Sequence, residues 1–201
     1  MIELERALAD IAEVRQRLAV TQRFHGYSAL AAACSGVFAL VAGVIQLLLV
    51  PLPHSAQQGH LYFAIWFVCC ALSVTVNYGA IAQWFVNDAT ARERWQTATV
   101  GLSILPALVL GAMLSVALLR GELFAYLPGV WYGCYGVGLF ASRATLPRGA
   151  VALAAVFMLA GFGLLLTPAD VSLAWWILPL GFGFGQIAIG CFVWSERKVR
   201  Q

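Results

Sequence analysis

Charge is what this chain has least of: of 201 residues, 12 are Lys or Arg and 9 are Asp or Glu, 10% in all, against 62% hydrophobic residues. Soluble domains run about 25% charged and about 45–50% apolar, so a water-soluble fold is excluded. The longest aqueous piece is residues 1–24, too short for an extramembrane catalytic domain. Phosphate-cradling glycine loops, GxSxG and HExxH motifs are missing, and no hydrophobic run carries a pair of carboxylates, so enzyme chemistry is not expected. Cysteine is sparse: Cys34, Cys69, Cys70, Cys134 and Cys191 all fall inside hydrophobic runs, which suggests no disulfide framework.

What the chain has in abundance is long apolar runs. A bilayer core about 30 Å thick needs roughly 20 apolar residues of helix. Six stretches meet or approach this, at 27–50, 60–86, 98–119, 123–142, 149–166 and 171–194, and none contains Asp, Glu, Lys or Arg. The connectors between them are short and hold Pro51 and Pro53, Gly121, Pro147 and Pro168, the residues that break helices. The expectation is an all-α polytopic membrane protein, six transmembrane helices as three antiparallel hairpins, with domains at 1–24, 25–195 and 196–201.

Orientation follows from the bases. Arg6, Arg15, Arg17, Arg23, Arg92, Arg94, Arg143, Arg148, Arg197, Lys198 and Arg200 share one side of this map, and only Arg120 faces the other. By the positive-inside rule that asymmetry puts both termini in the cytoplasm of a bacterial inner membrane. The net +3 is explained by topology and points to no nucleic acid. No cleavable signal peptide is expected, the first span serving as an uncleaved anchor. All seven tryptophans fall near span ends, as belt anchors would: Trp84, Trp95 and Trp194 at the basic side, Trp66, Trp131, Trp175 and Trp176 at the far side.

Residues 1–24 form a separate unit. Leu4, Leu8, Ile11, Val14 and Leu18 recur at steps of three and four, placing them on one stripe of an amphipathic helix. Glu3, Glu5, Asp10 and Glu13 come first and Arg15, Arg17 and Arg23 later, the order that complements the helix dipole. Four acids balance four arginines through Arg23, whereas helices drawn to anionic lipid carry excess base; docking on protein is therefore favoured over lying in lipid.

Inside the spans, Gly181 and Gly185 make a GxxxG frame, and Gly36, Gly43, Gly133, Gly136 and Gly138 mark further faces where helices can approach closely. Pro106 and Pro179 each remove a backbone donor and are expected to kink their helices. Membrane sites that couple to ions usually hold an ionisable group at depth, and none lies near the midplane here. Asn77 and Gln186 are the candidate polar residues, for an interhelical hydrogen bond or a neutral substrate. His54 and His60 share one side of the membrane and form a weak haem or metal pair; no cofactor is predicted.

Leu4, Glu5 and Arg6, the lead-in Thr21, Gln22, Arg23, Phe24, His25 and Gly26, the Leu127, Pro128, Gly129, Val130 and Trp131 run followed by Tyr135 and Gly136, and a short basic tail together resemble a group of small bacterial six-span inner-membrane proteins without assigned function. The resemblance covers most of the chain and implies location and topology; its motifs are packing and boundary residues and carry no catalytic or ligand-binding role. The expected function is a non-enzymatic accessory subunit or homo-oligomer, acting on other membrane-protein subunits or on itself through the stripe from Leu4 to Leu18 and the Gly181 and Gly185 face. The alternative is a transporter or channel for a small neutral or lipid-like substrate, resting on Pro106, Pro179, Asn77 and Gln186.

Overall fold

The computed structural model describes residues 28–87, 89–143 and 148–198. The stripe Leu4, Leu8, Ile11, Val14 and Leu18 lies outside the described residues. Among the described residues the secondary structure is all helical, with no strand. The elements are α1 (Ala29–Leu49), α2 (Ala56–Asn87), α3 (Ala91–Arg120), a 3-10 turn (Phe124–Tyr126), α4 (Leu127–Ala141), α5 (Arg148–Leu166), the one-turn α6 (Ala169–Ser172), a π turn (Pro179–Gly183) and α7 (Phe184–Lys198).

Four stretches are long and apolar enough to cross a membrane: Ala29–Leu49, Ala56–Asn87, Gly101–Arg120 within α3, and Gly149–Leu166. The fourth and last apolar runs are shorter as helices. At 15 residues, α4 rises about 22 Å, and it is lengthened at its start by the 3-10 turn. Pro128 stands in its first turn, where the missing N–H has no helical partner to lose.

Local chemistry fixes the ends. The Ser28 hydroxyl accepts the Ala31 amide at the start of α1, and Thr90 and Glu93 form a reciprocal capping box at the start of α3. Near that turn the Arg94 guanidinium donates to the Val86 carbonyl and stacks over the Phe85 ring. Proline inside a helix normally breaks it, yet α3 runs on through Pro106.

Packing is dominated by small residues. α1 lies between α2 and α7: Gly36 faces the Gly183 carbonyl and Ile187, Gly43 faces Pro179, and Gly190 faces the Ala29 carbonyl. α4 lies between α3 and α5, with Gly136 against Met158 and Ala154, Gly161 against Gly133, and Gly138 against Ile104 and Ala107. A Cβ at Gly36, Gly136 or Gly161 would fall within 3.0 Å of its neighbours, so these contacts need glycine, as expected where helices associate by close packing in lipid.

Of the three expected hairpin partnerships, α1 with α2 and α3 with α4 do pack together, whereas the third departs. The tightest partners are α4 and α5, the last helix docks on α1, and α5 touches the last helix only lightly. α2 and α3, joined by residues 88–90, make almost no close approach along their lengths. Near that turn Tyr78, Val86 and Leu102 are exposed, and a Cβ at Gly79 or Gly101 would meet nothing within 4 Å.

Candidate functional site

The apolar run at 171–194, expected as one continuous helix, is broken twice. α6 ends at Ser172, residues 173–176 are not regular helix, and the chain re-enters helix at Ile177 only to widen into a π turn at Pro179–Gly183. Irregular backbone at membrane depth is tolerated only where protein satisfies its polar groups. Here Gln46 of α1 and Tyr132 of α4 bond its carbonyls.

Gln46 of α1 is fully buried; its amide N–H donates to the Leu173 carbonyl at 2.9 Å, while its carbonyl oxygen accepts the Trp66 indole N–H at 2.9 Å. One side chain thus ties α1, α2 and the unwound stretch. The Ser172 hydroxyl, also buried, donates to the Ala125 carbonyl at 2.6 Å. The second break has its own partner. The Tyr132 hydroxyl of α4 donates to the Ile177 carbonyl. A Cβ on Gly181 would lie 2.0 Å from that hydroxyl, so the approach requires glycine.

Around the π turn, Tyr132, Tyr135, Phe157 and Phe182 pack ring against ring with centroids 4.9–5.4 Å apart, within the range aromatic pairs favour. Outside this cluster, between α5 and the last helix, lies a cleft of about 540 Å³ whose walls include Phe157, Leu164, Thr167, Ile177, Gly181 and Phe184. Its lining is almost wholly apolar, which suits a hydrocarbon chain far better than an ion.

The residues singled out from sequence fall into separate places. Gly181 and Gly185 both line this cleft and face inward, onto Tyr132 and Phe157. The Gln186 amide donates to the Tyr135 hydroxyl at 2.6 Å, and its carbonyl oxygen is buried with no hydrogen-bond partner among the described residues. Asn77 sits elsewhere, bonding Ser35 of α1 at 2.6 Å and the Ser73 carbonyl of its own helix. His60 is held at the start of α2 by the Ala56 carbonyl and the Phe124 ring. His54 offers its backbone amide to Gln58. Among the described residues no three His, Cys, Asp or Glu side chains gather as a metal group.

Gln46, Trp66, Ser172 and Tyr132 were not among the candidate site residues. Gln46 had left a signal, as a lone amide among Val44, Ile45, Leu47 and Leu48. Trp66 had been placed in an interfacial belt, but its indole turns inward because Gln46 offers a buried acceptor. Trp131 likewise donates to Ser115 at 2.8 Å and stacks with Tyr62. No protein-family model, curated protein or solved structure matches the chain.

Proposed function

We propose that this chain is a six-span protein of the bacterial inner membrane, both termini cytoplasmic, that works by contact with other protein chains as an accessory subunit or a homo-oligomer and performs no enzymatic step. The observation that carries the reading is the near-absence of contact between α2 and α3. Neighbouring antiparallel helices joined by a tight turn ordinarily bury a face against each other. These two make almost no contact with each other, and a Cβ at Gly79 or Gly101 would meet nothing within 4 Å. The six crossings are supported by the six apolar runs and by the eleven-to-one division of bases between the two sides. The stripe Leu4, Leu8, Ile11, Val14 and Leu18 would supply a second contact on the cytoplasmic side.

Mild detergent extraction from the native membrane, with mass analysis and an absorption spectrum of the same sample, tests this. The expected result is a complex containing a second chain or several copies. A lone colourless monomer overturns it. Removal of residues 2–18 should change the mass or the co-purifying chains; an unchanged complex rules out a docking role for the stripe.

The second reading, a carrier for a small neutral or lipid-like substrate, is favoured by the cleft between α5 and the last helix, with a broken helix at its edge, the feature transporters use to build sites. A monomer that retains a specific lipid through purification would favour it over the first.

A further inference from the structure

α5 and the last helix meet only lightly, and the cleft between them has a direction as well as a volume. It runs from Thr167 and Ile177 at one end to Leu153 and Ala188 at the other. At 1.5 Å per residue those walls are about 21 Å long on α5 and about 16 Å long on the last helix, so the cleft follows the helix axes. Its back is closed where Tyr132 fills the space at Gly181 and Phe157 the space at Gly185. Its wall is open at Gly163, where a Cβ would meet nothing within 4 Å.

These dimensions select an occupant. Spread along about 20 Å, a volume of about 540 Å³ leaves a mean cross-section of roughly 27 Å², whereas a helix about 10 Å across needs roughly 80 Å². A transmembrane helix does not fit, and a single hydrocarbon chain does. One leaflet of a core about 30 Å thick is about 15 Å deep, so a chain held straight along the cleft reaches past the midplane. The Thr167 end carries the polar groups. The Thr167 hydroxyl donates to the Leu164 carbonyl at 3.0 Å, which leaves its oxygen able to accept. Exposed Asp170, Trp175 and Trp176 stand close by in the chain, and indoles favour headgroup level. On the six-span topology this side holds Arg120, Glu122 and Asp170, two carboxylates against one guanidinium. That balance repels an anionic headgroup and attracts an ammonium.

We propose that the cleft is a lipid site: it holds one acyl chain of a phospholipid, straight from Thr167 toward Leu153, with an ammonium-bearing headgroup at Asp170 and Thr167. The inference deepens the lipid-like reading of this cleft and rests on the six-span topology for the end at which the headgroup sits. Carriage is a separate property, read by leaflet-to-leaflet transfer of a fluorescent lipid in vesicles. Chain binding without transfer keeps the site and removes the carrier; transfer without chain binding does the reverse.

Photolabelling tests the site on the full chain, in vesicles of equal parts phosphatidylethanolamine and phosphatidylglycerol, with a diazirine on one acyl chain of either lipid and the labelled residues mapped by mass. Label from phosphatidylethanolamine should concentrate at Leu153 and Ala188, above the level at Val41 and Leu48, which are exposed on α1. It should exceed label from phosphatidylglycerol about two- to fivefold, the range of an exposed ion pair, and Asp170→Asn should erase that preference. Gly163→Phe, which fills the open wall, should lower labelling at Leu153 to the level of the α1 face, while Gly163→Ala, which leaves room for the chain, should label as the native protein does. Equal labelling of the cleft and the α1 face overturns the proposal. So does a native preference for phosphatidylglycerol, or a loss as complete in Gly163→Ala as in Gly163→Phe.

Discussion

The region around the broken last helix and the region where α2 meets α3 draw on the same residue types and use them in opposite ways. In the first, Gly36, Gly43, Gly181 and Gly185 are packed against neighbouring residues, and side chains from other helices bond carbonyls of the broken stretch: Gln46 on Leu173, Tyr132 on Ile177. In the second, Gly79 and Gly101 face open space and the large side chains Tyr78, Val86 and Leu102 are exposed. Irregular backbone in lipid must be satisfied by neighbouring protein, so the broken helix gathers helices around it. Regular helices satisfy themselves, so α2 and α3 are free to separate and leave room for another chain.

The sharpest way to break this contrast is to add one methyl group to each region. Gly181→Ala puts a Cβ 2.0 Å from the Tyr132 hydroxyl and should cost about 3 kcal/mol, the upper end of overpacking, seen as a lower unfolding midpoint in detergent. Gln46→Leu comes next. It keeps the volume but leaves the Trp66 indole N–H and the Leu173 carbonyl buried without partners, a loss of about 2–3 kcal/mol by the same measurement. Restoration of native stability by adding Trp66→Phe alone would show that the Leu173 bond contributes nothing.

Smaller effects sharpen the contrast. Asn77→Ala should cost only about 0.6 kcal/mol, the average for interhelical hydrogen bonds in membranes, because the Ser35 hydroxyl keeps its own bond to the Ala31 carbonyl. Gly79→Ala should cost nothing and gain up to roughly 1 kcal/mol of helix propensity, since no atom lies within 4 Å of the new Cβ. Gly101→Trp should leave the unfolding midpoint of the isolated chain unchanged while disrupting the complex extracted from native membranes. If it disrupts neither, the α2 and α3 surface faces lipid alone.

Much of the fold was legible because its causes are local. Five of the six apolar runs correspond to helices whose ends lie near the proline, glycine and charged residues that bound them in sequence. The glycine faces of the first, fourth and last runs do meet other helices. The breaks in the last run were less visible. Pro179 announced a disturbance there, but the unwinding at 173–176 depends on Gln46, more than 120 residues earlier, and no local pattern connects the two. The same holds for Trp66: position along a span placed it at an interface, whereas its actual environment depends on the acceptor that α1 brings beside it.

Composition and spacing alone determined that this chain is helical and apolar enough for membranes, because burying backbone in lipid leaves helix as the structure that ten per cent charge and runs of this length can form. Tertiary structure decided which helices touch and where the ladder opens. Close packing depends on which small residues face each other, and an opened carbonyl persists only where a distant side chain is positioned to bond it. Those are properties of pairs far apart in sequence, such as Gln46 with Leu173 and Tyr132 with Ile177, and they exist only once the chain has folded.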